Sequence, residues 1–270
     1  MDRRALKAAA REDLSAASCS PRRVTLVFLL LILALVVMDV AVPYLIERMG
    51  SSGHYLSDAI SAGSRNYMMI VLFSLLCQAV LAMLTAGYTA FSLALSRREP
   101  CAPDMLWEGF HRAGAVLALY FLRALFIGLW AGVLSVPLSY LLLALLPANL
   151  SDAALYYVLL GASALLMLIL SYRYRMAYFL LMDDPSLTAR QALGRARAIN
   201  QVHRVELFLL DLSFLPWMLL GLLTCGILLI WKLPYMLSTY ARTYQYMLDD
   251  YRRRQDNLQD FLTRMQRGEP

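Results

Sequence analysis

Residues Leu207 to Leu233 read LFLLDLSFLPWMLLGLLTCGILLIWKL, and the fold turns on whether this block crosses an apolar slab once or twice. A helix needs about 20 apolar residues to cross a hydrocarbon core of ~30 Å. The block is long for one crossing, and its continuation to Tyr246 is long enough for two. Thr224-Cys225-Gly226 is the natural reversal point, because glycine lets the backbone turn back on itself. The two-crossing reading gives spans near Glu206–Leu223 and Ile227–Tyr246.

The basic residues favour two crossings. Working outward, earlier apolar blocks run Val24–Ile46, Tyr67–Leu95, Ala113–Leu146 and Leu155–Met182, each longer than one crossing requires. The third holds Pro137, which is expected to kink it or begin a short outer segment, so its crossing is placed at Gly114–Val136. Arg3, Arg4, Lys7, Arg11, Arg22 and Arg23 precede the first block, which puts the N-terminus in the cytoplasm by the positive-inside rule. Arginine-rich and arginine-poor connections then alternate. Arg97, Arg98 and Arg112 mark one inner connection, and Arg173, Arg175, Arg190, Arg195, Arg197 and Arg204 mark the next. The connection Pro147–Ala154 carries no basic residue. A single last crossing would leave Arg242, Arg252, Arg253, Arg254, Arg264 and Arg267 outside, whereas two crossings return them inside. The expectation is an all-α polytopic membrane bundle of six helices with both termini cytoplasmic.

Composition agrees. Of 270 residues 60% are hydrophobic and 16% charged, against roughly a quarter charged in ordinary globular domains, and the charges fall between the apolar blocks. The net charge of +6 is carried by arginine, since the lysines are Lys7 and Lys232 alone. Anionic lipid of the inner leaflet explains basic loops beside apolar spans, and nucleic acid is not expected as a partner. Cys19, Cys77, Cys101 and Cys225 stand alone, implying neither a disulfide framework nor a zinc site. A polar segment precedes the first block and no small-residue cleavage site comes after it, so the block is expected to stay as an anchor.

Three stretches outside the spans have amphipathic spacing. Thr188 and Gln191 form a predicted capping box that starts a helix over 189–201, with Ala189, Ala192, Leu193, Ala196 and Ile199 on one side. It is expected to connect spans against the bundle floor, the alternative being a lipid-recognition helix along the inner leaflet. In the tail over 247–270, Leu258, Phe261, Leu262 and Met265 recur at helical spacing among charges, as a surface or partner-binding helix would have them. Leu6, Ala10 and Leu14 in the segment over 1–23 repeat the pattern more weakly, and fraying is the alternative for both termini.

A run of residues in the second half resembles a known family. Asp183-Asp184-Pro185-Ser186-Leu187-Thr188-Ala189, Ala192-Leu193, Glu206-Leu207-Phe208, Asp211-Leu212-Ser213-Phe214, Trp217, Leu222 to Ile227, Trp231 and Pro234-Tyr235 follow one another as in the bacterial integral membrane proteins of domain of unknown function family 975. Gln201-Val202-His203-Arg204 departs from the Gly-His-Lys run usual there, and Pro216 replaces a common Gly. The resemblance implies a multi-pass helical protein and no established activity.

Charged residues inside spans are the usual pointers to function, because an unpaired charge in hydrocarbon is costly. Asp39, Arg123, Asp211 and Lys232 qualify. By depth, Asp39 is placed where it could pair with Lys232, and Arg123 where it could pair with Asp211, as inter-helix fasteners or as a polar pathway, with snorkelling near the span ends the other structural reading. Gly128 and Gly132 form G-x-x-x-G, and Ala82, Ala86, Ala90 and Ala94 a similar row, both expected to let helices pack closely inside the bundle, with homodimerisation the alternative. His54, His111 and His203 fall in different loops, and the acid pairs Asp183-Asp184 and Asp249-Asp250 read as solvated helix ends. No H-E-x-x-H, G-x-S-x-G, Walker or G-x-G-x-x-G motif occurs, and no cofactor or enzymatic activity is expected. The function expected is a scaffold, accessory or membrane-homeostasis protein with a protein partner or homo-oligomeric contacts. The alternative is a transporter or permease component.

Overall fold

A computed structural model describes residues 3–50, 56–145, 152–224 and 226–267. His54, Cys225 and most of the arginine-free Pro147–Ala154 connection lie outside the described residues. The described chain is all-helical. The helices are α1 (Arg3–Ser15), α2 (Pro21–Gly50), α3 (Leu56–Ser96), α4 (Glu108–His111), α5 (Ala113–Leu145), α6 (Asp152–Tyr172), α7 (Ala177–Asp183), α8 (Ala189–Leu223) and α9 (Leu229–Arg267), with a 3-10 turn over Pro103–Trp107.

Five helical stretches are long and apolar enough to cross a membrane: Pro21–Ile46, Asn66–Ser96, Ala113–Leu141, Tyr157–Asp183 and Ala189–Leu223. Only 11% to 22% of each apolar window is buried within the chain. The remaining surface, such as Leu33, Val40, Leu125, Val133, Leu222 and Leu223, is far more apolar area than a water-soluble monomer exposes, and it fits a membrane protein. The expected sixth span, the start of α9, falls outside this set because Lys232, Pro234, the tyrosines and Arg242 dilute its hydropathy.

The helices differ from the sequence blocks in three places. Pro137 lies inside a continuous helix and does not end it. The apolar block Leu155–Met182 is interrupted by turns at Arg173–Met176, and its last part becomes the short helix α7. The capped helix over 189–201 runs straight into the fifth span as one helix, kinked at His203 where φ is −106° and ψ 17°. The expected capping box forms: Thr188 Oγ1 accepts from the Gln191 amide at 3.4 Å, and the Gln191 side chain accepts from the Thr188 amide at 3.0 Å. The reversal near Gly226 also forms, with φ of +85° at that glycine, which an L side chain would resist. Gly221 seats α8 against Leu229 of α9 directly beyond the turn, where a Cβ would stand 2.8 Å from the leucine side chain.

The core is built around α7, whose residues Ala177 to Leu181 are all buried. A helix apolar on every side belongs inside a bundle. It packs among Ala82, Ala86 and Leu93 of α3, Val116 and Leu119 of α5, Ala192, Leu193, Ala196, Ile199 and Leu207 of α8, and Ala241, Tyr244 and Met247 of α9. The face of α8 anticipated from spacing is therefore spent on this core. A second cluster joins α2 to α3, where Phe28 stacks on Tyr88 with ring centroids 4.2 Å apart and Thr25 meets the Tyr88 hydroxyl at 2.7 Å.

Close helix packing occurs at glycines other than those anticipated. A Cβ on Gly87 would lie 2.0 Å from the Leu106 carbonyl oxygen, and one on Gly109 1.9 Å from that of Met83, so α3 meets the 103–111 segment backbone to backbone. A Cβ on Gly128 or Gly132 meets nothing within 4 Å. The G-x-x-x-G row borders open space rather than a packed neighbour, since α5 turns its Val116 and Leu119 side to the core, and the close packing expected there is not made within the chain. The alanine row does pack inward, with Ala82, Ala86 and Ala94 buried. Gly87→Ala is therefore expected to destabilise the protein by about 1–3 kcal/mol or more through overpacking against immovable backbone, read as a lower melting temperature in detergent. Gly132→Ala is expected to leave that temperature unchanged.

Candidate functional site

The most concentrated chemistry lies at the end of the bundle where α1, the end of α3, and α9 meet. Alternation on α1 turns Ala10 and Asp13 inward, both with no exposed surface, while Arg11 and Glu12 stay exposed. A buried carboxylate needs partners. Arg242 supplies a two-pronged contact, its Nε donating to Asp13 Oδ2 and its terminal nitrogen to Oδ1, each at 2.6 Å. Arg98 adds a third bond from Nε to Asp13 Oδ1 at 3.2 Å, and its terminal nitrogen donates to Glu12 at 2.6 Å. Planar guanidinium and planar carboxylate match in such a fork, which fixes direction as well as distance. Arg98 takes a left-handed φ of 58° just past the end of α3, where glycine is usual. An arginine there gives up backbone comfort and gains reach to Asp13.

Two more contacts pin α1. Lys7 Nζ donates to Ser213 Oγ of α8 at 2.7 Å and stands 4.7 Å from the Phe214 ring centre, and the Arg11 guanidinium lies 5.4 Å from that of Tyr235. Beyond α1, Cys19 is linked to Cys101 by a disulfide with Cα atoms 5.7 Å apart, so the expectation of isolated cysteines is corrected for this pair. The two are 82 residues apart in sequence, and it is the docking of α1 and α2 against the end of α3 that brings them together.

Asp211 forms a second centre. The Tyr172 and Tyr240 hydroxyls donate to it, and Arg175 donates at 2.9 Å while lying 4.9 Å from the Tyr240 ring centre. The Arg123–Asp211 pair that depth allows does not form, because the turns at Arg173–Met176 deliver Arg175 to Asp211 first. Arg123 instead lies 5.9 Å from the Tyr178 ring centre. The Asp39–Lys232 pair does not form either. Lys232 sits 4.0 Å over the Trp217 ring of the adjoining helix α8, and Asp39 Oδ1 is buried without a hydrogen-bond partner. An apolar trough of Leu29, Leu33, Val36, Gly226 and Ile230 occupies the space between α2 and the start of α9.

The acid pairs are likewise drawn into contacts. Asp183 accepts from Arg97 and, at 2.8 Å, from the Tyr244 hydroxyl. Asp250 faces His203 Nε2 at 3.1 Å and Arg254 at 2.8 Å, while His203 Nδ1 meets Glu206 at 2.7 Å. Burial pushes the Asp250 carboxyl up, and the His203 hydrogen bond and Arg254 charge outweigh it, holding the group below its ordinary value. Asp249 is exposed, and Asp184 behaves as a solvated turn residue: the Ser186 hydroxyl and amide bonds, at 2.6 and 3.0 Å, hold its carboxyl low. Among the described residues no three His, Cys, Asp or Glu side chains converge as metal ligands would.

Arg123 borders a cavity of about 480 Å³ between α3, α5, α6 and α7, with Gln78, Thr85, Tyr120 and Tyr178 as its other polar lining. Gly128 forms part of its wall. Of the charges anticipated from sequence inside spans, Arg123 faces this cavity. Asp13, Arg175, His203 and the Cys19–Cys101 pair were not anticipated; the spacing of Asp13 three residues after Ala10, on the apolar side of α1, is the hint to its role.

Removing Asp13 leaves Arg242 and Arg98 crowded together at a half-buried position. Asp13→Ala is expected to cost about 3 kcal/mol in thermal unfolding, whereas Asp260→Ala, which breaks an exposed pair with Arg264, is expected to change nothing measurable. Asp250 titrates lower folded than unfolded, so its contribution is present above the ordinary value of 3.8 and lost as pH falls through the depressed value. Acid melts of wild type and Asp250→Asn are expected to converge below that range and diverge above it.

No curated protein and no solved structure matches the chain. The profile of a family described as protein of unknown function (DUF975) matches residues 1–250, which takes in α1, both halves of the Asp13 cluster and the α8–α9 hairpin. The chain belongs to that family.

Proposed function

We propose that this is a six-span protein of the bacterial plasma membrane with both termini in the cytoplasm, acting as a non-catalytic scaffold or accessory subunit. The observation that carries the reading is the course of α9. It runs from the turn at Gly226 alongside α8, through the buried Thr239, Thr243 and Met247, and on without a break to Arg267. From Arg252 onward every described residue is exposed, and Leu258, Phe261, Leu262 and Met265 lie open at helical spacing. A rigid helix that leaves the bundle carrying an unburied apolar stripe suits the capture of a partner protein. The distribution of arginines supports placing that stripe in the cytoplasm, and the length of α9 supports a sixth crossing despite its diluted hydropathy. Anionic lipid at the inner leaflet would complement the arginine-rich end.

A transporter is the second reading, favoured by the Arg123 cavity. The two differ in whether that cavity carries water through the membrane.

A reporter fused after Asp250 is expected to read as cytoplasmic, and an extracytoplasmic signal removes the sixth span. With single cysteines placed along α5 and α8, a water-soluble thiol reagent is expected to leave mid-membrane positions unlabelled, whereas labelling along a continuous line would favour transport. Deleting residues 255–270 is expected to leave the melting temperature unchanged, since the described residues of that stretch are all exposed.

A further inference from the structure

Basic cavities occur at two levels of the molecule, and they differ in how their charge is answered. The one near the α1 end, about 400 Å³, is lined by Arg97, Arg98, Arg242 and Arg252 together with Asp183 and Asp249, and three of its arginines are already bonded to carboxylates. The other is the Arg123 cavity. Among the described residues no carboxylate pairs with Arg123, and the charged group acting on it is Arg175, of the same sign. A guanidinium flanked by hydrocarbon and left without a counter-ion is costly, and an anion from outside the chain relieves that cost.

The shape of the cavity says what kind of anion. Tyr120, Tyr178 and Gln78, whose side chains can all donate to oxygen, line the same cavity as Arg123, with the Tyr178 ring centre 5.9 Å from the guanidinium. Leu81, Ala82, Ile127, Gly128 and Met167 make up the apolar part of the lining, a trough suited to hydrocarbon. A polar head bound at Arg123 with a chain laid along that trough satisfies both halves. Depth agrees. Tyr178, whose ring centre is 5.9 Å from the guanidinium, precedes Asp183 by five residues, about 8 Å along α7 from the Arg97–Asp183 pair, a span that a headgroup phosphate drawn slightly inward covers. The planar fork of arginine suits the paired oxygens of a phosphate.

We propose that the Arg123 cavity is a binding site for an anionic glycerophospholipid, its phosphate on Arg123 and one acyl chain in the trough past Gly128. The proposal needs membrane residence and not the scaffold reading, so the reporter topology stands whatever becomes of it. The test is native mass spectrometry of the full chain in mild detergent, titrated with phosphatidylglycerol or phosphatidylcholine of identical acyl chains. Wild type is expected to retain one phosphatidylglycerol and to hold phosphatidylcholine at least about tenfold more weakly, a discrimination of the size a charge-assisted contact gives. Arg123→Gln is expected to abolish the preference and Arg123→Lys to keep part of it. Gly128→Leu is a second probe, because its new side chain enters open space rather than a packed neighbour and is expected to block the trough with the fold intact. Equal retention of the two lipids by wild type, or unchanged phosphatidylglycerol retention in both Arg123→Gln and Gly128→Leu, overturns the site. Displacement of the lipid by inorganic phosphate at matched concentration overturns its assignment to an amphiphile.

Discussion

The carboxylate of Asp13 is the contact on which the arrangement of the arginine-rich end depends. It is wholly buried, it lies on the first helix, and it is held by Arg242 from the last helix and Arg98 from the end of the third. One side chain thereby ties together the beginning, middle and end of the sequence. A buried charge of this sort is weak as a source of net stability and strong as a determinant of geometry, since every alternative placement leaves two guanidinium groups unanswered. The disulfide at Cys19–Cys101 and the Lys7–Ser213 bond depend on that docking. If the proposed topology holds, the cysteine pair faces a compartment whose thiol buffers oppose disulfides, and the ion cluster then carries the docking of α1 without it.

Around this fastening the bundle is organised by small residues and by one buried helix. Gly87 and Gly109 allow backbone to touch backbone at the end of α3, which fixes the segment carrying Cys101. The interior position of α7 brings the turns at Arg173–Met176 under α8, and that placement turns Arg175 into the partner of Asp211. Arg123 is left facing a cavity as a direct consequence. Structure and candidate site are linked here: the break in one apolar block decides which arginine is neutralised and which stays available to a ligand.

Apolar runs, the capping box at Thr188 and Gln191, the reversal at Gly226 and the buried face of Ala192, Leu193, Ala196 and Ile199 were all legible in the sequence, because each is a local pattern with a local cause. Pairings were not. Depth arithmetic along ideal helices matched Arg123 to Asp211 and Asp39 to Lys232, and both matches failed, since it could not see that a helix would break at Arg173 or that Lys232 would rest on Trp217. The G-x-x-x-G row at Gly128 and Gly132 is left without a packed helix for a similar reason: which side of α5 meets the core is settled by the other helices. Asp13 and His203 were overlooked because their partners, Arg242 and Asp250, lie far along the chain and nothing in the intervening sequence couples them.

Proximity of α1 to α8 in the native membrane tests the central claim most directly. With Lys7→Cys and Ser213→Cys as the available thiols, a short bifunctional thiol reagent applied to membranes is expected to join the two positions, and Asp13→Ala in the same background is expected to abolish the link. No cross-link in the otherwise intact chain, or the same yield with and without Asp13, contradicts a first helix docked by that carboxylate.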